Sequence, residues 1–336
     1  MQRSVFLLAF LALSIIGCNG GGSTDTNSPT TGSTQGSGDT SGKKFRIAFI
    51  PKGSTHEFWQ SMKKGADEAA AANNVELLWK APLKEDDKAE QIKVVENFTS
   101  EKVDGMVLAP LDEEALRNPT KEAIAAGIPI IIVDSGLKDV ETSSFIATDN
   151  EKAGYMGGER LAKALGGKGN VIMLRYAEGS ASTMAREKGF MDAAKAGGLT
   201  VVSENQRGGA TRESAQSASE NLLQQFRKGE GLSIDGIFCP NESTAFGMLK
   251  ALQNAKLAGK VKFVGFDSSK ELLDAVDKGE IEGLVLQNPT EMGRKSVEEM
   301  VKKLKGEKIQ DKVDTGAVLV DKANLNSDEV KKLLGK

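Results

Sequence analysis

Residues Val261–Asp267 read VKFVGFD, and this stretch decides the fold. Five of its first six residues are apolar or glycine, and Ser268 and Ser269 follow it. A short apolar run rich in valine and phenylalanine, closed by turn residues, predicts a strand that is buried on both faces of a parallel sheet. In an open α/β sheet, ligands bind just beyond the carboxyl ends of the strands. Asp267 is therefore expected to face a ligand crevice rather than the core.

A second copy of this arrangement lies earlier in the chain. Ile128–Asp134 reads IPIIIVD, which is again an apolar strand that ends in an aspartate. Matching strands precede the two copies, VDGMVLAP over Val103–Pro110 and IDGIFCP over Ile234–Pro240. Two lobes of the same design, each with an aspartate at a strand end, indicate a cleft between two half-molecules.

Strands and helices alternate along the whole chain after Phe45–Ile50, the first predicted strand. The helices include Glu85–Ser100 and Glu113–Ala126, and the last strand is Gly316–Val320. Strict alternation predicts an α/β fold class, with doubly wound parallel sheets, helices on both faces and right-handed crossovers. The loop after the first strand reads PKGST over Pro51–Thr55 and lacks Gly-x-Gly-x-x-Gly, so no dinucleotide cofactor is expected.

Composition excludes several classes of function. The net charge is −3, which gives no basic footprint for nucleic acid. The chain has one histidine and two cysteines, which argues against a zinc site and against a serine or cysteine protease triad because the ligands and bases are missing. We find no nucleophile–base pair or metal cluster in the pattern, so the sequence predicts neither an enzyme nor a bound metal or cofactor.

The amino terminus has the pattern of an export signal. Arg3 precedes an apolar run over Val5–Ile16, and the segment ends IIGC at Cys18, which resembles the bacterial lipobox. We predict a signal peptide over residues 1–17 and a lipid on the Cys18 sulfur; an ordinary signal peptide with a chance cysteine is the alternative. Residues 18–43 are mostly small or polar and predict a flexible tether. The protein is then exported and held in the bacterial cell envelope.

Several strings resemble one family, the periplasmic sugar-binding proteins of the ribose/galactose type, which are the receptors of ABC importers. The resemblance extends from Phe45 to about Val320. The strings that carry it are IAFIPKGSTHEFW (Ile47–Trp59), GIPIIIVD (Gly127–Asp134), IATDN (Ile146–Asn150), REKGF (Arg186–Phe190), CPNE (Cys239–Glu242), VGFD (Val264–Asp267) and QNP (Gln287–Pro289).

The resemblance implies the periplasmic binding protein type I architecture: two Rossmann-like lobes joined by a three-segment hinge. The amino-terminal lobe is expected over residues 44–148 plus 288–315, and the carboxyl-terminal lobe over 149–287 plus 316–330. The lobes of this family close on one monosaccharide, and we expect a monomer that a permease reads in its closed form.

The resemblance also implies a ligand site. Carried over by position, the site consists of Lys52, His56, Phe58, Trp59, Asp134, Ser135, Arg186, Asn241, Phe266, Asp267 and Gln287. Lys52, His56 and Ser135 depart from the ribose pattern, so the identity of the sugar stays open.

These residue types suit a polyhydroxylated ligand. An ionised aspartate accepts from two hydroxyls at once, so Asp134 and Asp267 could each hold a pair of them. Arg186 donates, whereas amide side chains both donate and accept. Trp59 and Phe266 could cover the two C–H faces of a sugar ring.

Structural alternatives exist for most of these residues. Each aspartate could instead cap the next helix. Arg186 could pair at the surface with Glu187 or Glu178. Phe58 could anchor the first helix in the core, and His56 could be a solvated loop residue.

The first functional hypothesis is a solute-binding lipoprotein that captures a monosaccharide or small polyol and delivers it to an ABC permease. A sensor that docks on a chemoreceptor or sensor kinase is the alternative. Lys52 and the positive end of the first helix leave open an acidic or phosphorylated sugar, or a furanosyl signal molecule.

Overall fold

The computed structural model describes residues 44–54 and 56–335. The predicted signal peptide and tether, with Cys18, lie outside the described residues. In chain order, the strands are β1 (Phe45–Ile50), β2 (Val75–Trp79), β3 (Gly105–Leu108), β4 (Ile130–Val133), β5 (Ser144–Ala147), β6 (Gly169–Met173), β7 (Leu199–Ser203), β8 (Arg227–Lys228), β9 (Gly231–Leu232), β10 (Gly236–Phe238), β11 (Lys262–Phe266), β12 (Gly283–Gln287), β13 (Lys312–Asp314) and β14 (Ala317–Val320).

Helices separate most of these strands. They are α1 (Glu57–Ala72), α2 (Lys88–Ser100), α3 (Arg117–Ala125), α4 (Asn150–Ala164), α5 (Ala181–Ala196), α6 (Arg212–Gln225), α7 (Glu242–Asn254), α8 (Lys270–Lys278), α9 (Pro289–Leu304) and α10 (Asp328–Leu333). Among the described residues, the helices are too short or too polar for any of them to cross a bilayer.

All of these strands except β8 and β9, which pair with each other, form two six-stranded sheets of similar strand order, and helices cover both sheets. The first sheet has the order β13-β5-β4-β3-β1-β2, and the second has the order β14-β12-β11-β10-β6-β7. We call the first sheet with α1, α2, α3 and α9 the first lobe, and the second sheet with α4 to α8 and α10 the second lobe. β4 and β11, the strands that end at the two aspartates, occupy equivalent positions, which confirms the predicted duplication.

Each sheet is buried on both faces, as apolar strands in parallel sheets require. In β11, Phe263, Val264 and Phe266 have no exposed surface. Phe263 packs with α7 and α8 in one apolar cluster, whereas Val264 and Phe266 pack with α4 and α5 in another. The first lobe has the same arrangement, with α1 and α9 on one face and α2 and α3 on the other.

The chain passes between the sheets three times, after β5, after β12 and after β13. The third passage corrects one expectation: β14 pairs antiparallel with β12, not parallel. β13 runs parallel to β5 and ends at the carboxyl edge of the first sheet, and only residues 315–316 lead from there to β14. β14 therefore enters the second sheet at its carboxyl edge and runs antiparallel to β12. The predicted residue boundaries of the two lobes stay a prediction.

Some element boundaries differ from the sequence pattern. α2 begins at Lys88, not Glu85, because the Asp87 side chain accepts from the Glu90 backbone N–H and caps the helix. α3 begins at Arg117, so Pro119 lies in its first turn and causes no kink. The strand β13, the β8–β9 hairpin and α10 were not predicted, since they are short and mostly polar.

Candidate functional site

A small cavity lies between the lobes, at the carboxyl ends of strands from both sheets. Its free space, measured for the centre of a water molecule, is about 30 Å³. The residues around it are Lys52, His56, Phe58, Trp59, Glu85, Asp134, Tyr176, Ser182, Thr183, Arg186, Asn241, Glu242, Asp267 and Gln287. The position agrees with the rule that ligands of doubly wound sheets bind outside the strand ends.

Asp134, which follows β4, forms a buried ion pair with Lys52, which follows β1. Lys52 Nζ lies 3.1 Å from Asp134 Oδ2, and both side chains are almost fully buried. The same ammonium group donates to Ser182 Oγ at 3.1 Å and lies 3.4 Å from Ser180 Oγ, in the second lobe. Lys52 therefore links Asp134 to the opposite lobe.

Asp267, which follows β11, is held by groups of its own lobe. Its carboxylate accepts from Gln287 Nε2 at 2.7 Å and from the Glu242 backbone N–H at 3.2 Å, and Arg186 Nη1 lies 3.8 Å away. Burial raises the pKa of Asp267 above its ordinary value, although Arg186 and Gln287 favour the ionised form. The helix cap that Asp267 could have formed is made by Ser269, which caps α8.

Arg186 lies in the first part of α5 and points across the carboxyl edge of the second sheet. Nε donates to Asn150 Oδ1 at 2.8 Å, and Nη1 donates to the Pro240 carbonyl at 3.0 Å. The guanidinium carbon lies 4.0 Å from the centre of the Phe266 ring. The geometry fixes the plane of the guanidinium group and leaves Nη2 for another acceptor.

Glu85, which lies in the loop between β2 and α2, contacts three hydrogen-bond donors. His56 Nδ1 lies 2.8 Å from Oε1, Trp59 Nε1 donates to Oε1 at 2.5 Å, and the Tyr176 hydroxyl donates to Oε2 at 3.0 Å. Burial opposes both charges, but the contact between them raises the pKa of His56 to about 9 and lowers the pKa of Glu85. Tyr176 comes from the second lobe, so this network spans the cleft.

Among the residues that the structure describes, three buried polar atoms around the cavity have no hydrogen-bond partner. They are Arg186 Nη2, Gln287 Oε1 and Glu242 Oε2, and their residues are at most 4% exposed. A buried polar group without a partner costs roughly 1–3 kcal/mol, so native proteins rarely leave one without a reason. One donor and two acceptors thus remain for a ligand that has both hydrogens and lone pairs to offer.

Each cation at the cavity faces a carboxylate. Besides the pairs of Lys52 with Asp134 and of His56 with Glu85, Arg212 contacts Glu242 and Arg186 lies near Asp267. Charges buried in this way are paired because an isolated one would be costly to remove from water.

Most of the predicted site residues come together at this cavity: Lys52, His56, Phe58, Trp59, Asp134, Arg186, Asn241, Asp267 and Gln287. Ser135 and Phe266 lie behind it. Ser135 Oγ accepts from the Ser182 backbone N–H at 3.1 Å, and Phe266 is fully buried beneath Arg186. Contact of these residues with a ligand stays a prediction.

The structure also shows which residues the proposed surface partners of Arg186 contact. Glu187 pairs with Arg175 and Glu178 with Arg207, so neither is the partner of Arg186. Asn241 has two roles, since its side chain accepts from the Thr244 backbone N–H and caps α7, and it also borders the cavity.

Sequence reasoning missed Glu85, Tyr176, Ser182, Thr183 and Glu242. Glu85 had been placed inside a helix, and the remaining four lie in or next to loops after β6 and β10. Tyr176 carried a signal that could have found it, because it follows an apolar strand and the chain has only two tyrosines. Within the described residues no group of acidic, histidine or cysteine side chains is arranged to hold a metal ion.

A larger groove of about 410 Å³ lies beside the cavity and shares Phe58, Asp267 and Gln287 with it. Its other walls include Leu273 and Leu333. Since the paired carboxylates and unpartnered polar atoms surround the smaller cavity, we place the site there.

Two similar lobes with a polar cavity between them, at the carboxyl ends of their strands, define a class, the two-lobed solute-binding proteins. Residues 47–308 match the family model described as periplasmic binding protein domain. The chain belongs to this family, which confirms the predicted fold class and implies a protein that works outside the cytoplasm. As a member it is a binding protein and not an enzyme.

The relatives of the chain include sugar-binding proteins. The ribose import binding protein of Escherichia coli (strain K12) is 30% identical over 279 residues, which cover 83% of this chain and 91% of the relative. A solved solute-binding protein from Agrobacterium vitis with bound D-fucose is 35% identical, with a TM-score of 0.80, over 85% of this chain and 98% of that one. A carbohydrate transporter solute-binding protein from Agrobacterium radiobacter, in complex with D-arabinose, is 32% identical with a TM-score of 0.81, over 86% and 98% of the two chains.

Proposed function

We propose that the protein captures a neutral monosaccharide or similar small polyol between its lobes and delivers it to an ABC importer. The observation that carries the proposal is the set of unpartnered buried atoms, Arg186 Nη2, Gln287 Oε1 and Glu242 Oε2. Sugar hydroxyls both donate and accept, so one ligand type satisfies all three atoms. The sugar-binding relatives support the same class of ligand.

The pairing of charges favours a neutral ligand over an acidic or phosphorylated one. Lys52 was the residue that left an anionic sugar open, but Asp134 lies 3.1 Å from its ammonium group. A phosphate or carboxylate placed beside Lys52 would meet this aspartate as well. Like charges at such distances repel strongly in a buried site, so an anion gains little there.

Ligand entry requires the lobes to move. The cavity is lined by residues of both lobes and has space for only a few water molecules, which is too little for a monosaccharide. We expect the sugar to bind when the lobes are apart and to shift an equilibrium between open and closed forms toward the closed one. A permease that recognises only the closed form then binds protein that carries the sugar. The protein acts as a monomer.

A thermal-shift screen tests the ligand class. The compact unit Ser41–Lys336 contains both sheets and the site, so protein without the first 40 residues is suitable. We expect D-ribose, D-allose, D-arabinose or D-fucose to raise the melting temperature, and D-galacturonate or D-ribose 5-phosphate to have much less effect at equal concentration. No response to any neutral sugar or polyol would overturn the proposal, and a preference for the acids would overturn its neutral ligand.

Attachment through a lipid on Cys18 is part of the same proposal and has its own test. The full chain expressed in a bacterial host should fractionate with membranes, and the Cys18→Ala variant should not. Mass spectrometry of the amino-terminal peptide should show diacylglycerol on the cysteine. An unmodified sulfur in membrane-bound protein would contradict the anchor and leave sugar binding untouched.

A further inference from the structure

One segment of the second lobe makes several of the polar contacts that join the lobes beside the site. We call residues 176–182, which run from the loop after β6 into the first turn of α5, the closure segment. At its two ends, the Tyr176 hydroxyl donates to Glu85 at 3.0 Å, and Ser182 accepts from Lys52 at 3.1 Å. These partners follow β2 and β1 of the first lobe.

The same segment reaches the loops after β3 and β4. The Glu113 backbone N–H donates to the Gly179 carbonyl at 2.9 Å, and the Ser182 backbone N–H donates to Ser135 Oγ at 3.1 Å. The closure segment thus contacts the loops that follow four successive strands of the opposite lobe. Contacts between lobes of this kind exist only when the lobes are together.

Gly179 of the closure segment packs closely against Asp112 of the first lobe. Its φ is +85°, and a Cβ built on it would lie 2.0 Å from Asp112 Oδ2, across the cleft. Asp112 has little freedom to move away, because Oδ1 accepts from the backbone N–H groups of Glu114 at 2.9 Å and Ala115 at 2.8 Å, and Oδ2 contacts Lys88 at 2.5 Å. A side chain at position 179 is therefore incompatible with this contact between the lobes.

We propose that Gly179 is a positioning residue for ligand capture: the absence of a Cβ lets the closure segment seat against Asp112 and complete the site. It does not line the cavity itself, and it acts by bringing Tyr176 and Ser182 to Glu85 and Lys52. The role in ligand capture rests on the proposed sugar binding, whereas the role in lobe closure does not.

Gly127 provides a matched control. Its φ is +86°, nearly that of Gly179, and a Cβ added there would meet nothing within 4 Å. Gly127→Ala therefore has the backbone strain of Gly179→Ala without the contact across the cleft. A difference between the two variants reports the contact.

Closure of the lobes can be measured without any ligand by trapping the closed form with a disulfide across the cleft. Ser135→Cys with Ser182→Cys places two thiols on either side of the cleft, where the Ser182 N–H now meets Ser135 Oγ. We expect a disulfide to form under mild oxidation at least ten times more slowly when Gly179→Ala is added, and at an unchanged rate when Gly127→Ala is added. Equal rates in the two variants would overturn the proposal.

Rescue distinguishes a blocked contact from damage to the fold. Asp112→Ala removes the carboxylate that the added methyl group would meet, so combining it with Gly179→Ala should restore most of the trapping rate. A double variant as slow as Gly179→Ala alone would contradict the proposed contact.

Sugar binding completes the test. For the neutral sugar that stabilises the wild type most, we expect Gly179→Ala to weaken binding at least tenfold and Gly127→Ala to leave it unchanged. Unweakened binding in Gly179→Ala would overturn its role in capture. If the wild type binds none of the sugars, the proposed function fails, while the trapping rates still decide the role of Gly179 in closure.

Discussion

Asp134 and Asp267 follow equivalent strands of the two sheets and share a left-handed backbone, with φ values of 63° and 62°. This region costs most L-residues roughly 1–2 kcal/mol, and aspartate and asparagine tolerate it best. Such strain tends to persist where function requires it. In both residues it accompanies a carboxylate that borders the cleft, which supports their predicted roles as a pair of sugar acceptors.

Because both aspartates have a positive φ, a variant that tests the role of their charge must tolerate this backbone conformation. Asp267→Asn retains a residue type that tolerates positive φ and removes the charge. Since a hydrogen bond to a charged group contributes about 1.5–3 kcal/mol, we expect at least a tenfold loss of sugar affinity by calorimetry. Asp267→Ala should lose affinity similarly and also unfold at lower urea concentration than Asp267→Asn. Wild-type affinity in Asp267→Asn would place the ligand elsewhere.

Arg186 and Asp267 should depend on each other for stability. Arg186→Met leaves the buried Asp267 carboxylate without its cation, which should destabilise the fold by about 3 kcal/mol at pH 7. Burial already raises the pKa of Asp267, and loss of Arg186 raises it further, so the destabilisation should shrink as the pH falls and the carboxyl group takes up a proton. Urea unfolding at pH 7 and pH 5 measures this.

A double variant provides the control for that pair. Asp267→Asn added to Arg186→Met removes the unpaired charge, and stability at pH 7 should recover relative to Arg186→Met alone. A deficit that is the same at both pH values, with no recovery in the double variant, would show that lost packing against Phe266 and not the charge is responsible.

The sequence was informative where local pattern and chemistry coincide. The strands β4 and β11 are apolar runs that end in an aspartate, and their duplication could be read directly. Glu85 could not be found in this way. It lies in the loop before α2 only because Asp87 caps this helix and the helix begins at Lys88. Phe266 was predicted at the site, but its side chain packs in the core cluster with Phe238, an arrangement that only the three-dimensional packing determines.

The shifted pKa values of His56 and Glu85 predict how the stability of the fold depends on pH. The pKa of His56 is raised to about 9, so its contribution is complete below the unfolded value of 6.5 and is lost as the pH rises through 9. Glu85 has a lowered pKa, so its contribution is present above 4.5 and is lost in acid. The free energy of unfolding should therefore fall by up to about 3 kcal/mol between pH 6.5 and pH 9.

The His56→Gln variant should lack this fall, because its side chain does not titrate. Urea unfolding of both proteins at pH 6, 7.5 and 9 gives the comparison, and the difference between them should narrow steadily toward pH 9. Parallel curves for the two proteins would mean that folding does not raise the pKa of His56.

Lys52→Met separates the two roles of that lysine. Its ammonium group contacts Asp134 and also Ser182 of the second lobe, so its removal should weaken closure and reduce the affinity for a neutral sugar roughly tenfold. It also leaves Asp134 without its cation, which makes the cleft more negative. An acidic sugar should then bind even less well than to the wild type, and Lys52→Met with Asp134→Asn should lessen that loss. If Lys52→Met instead harmed only an acidic sugar and left the neutral one unaffected, Lys52 would be the receptor of an anion and the neutral ligand would be wrong.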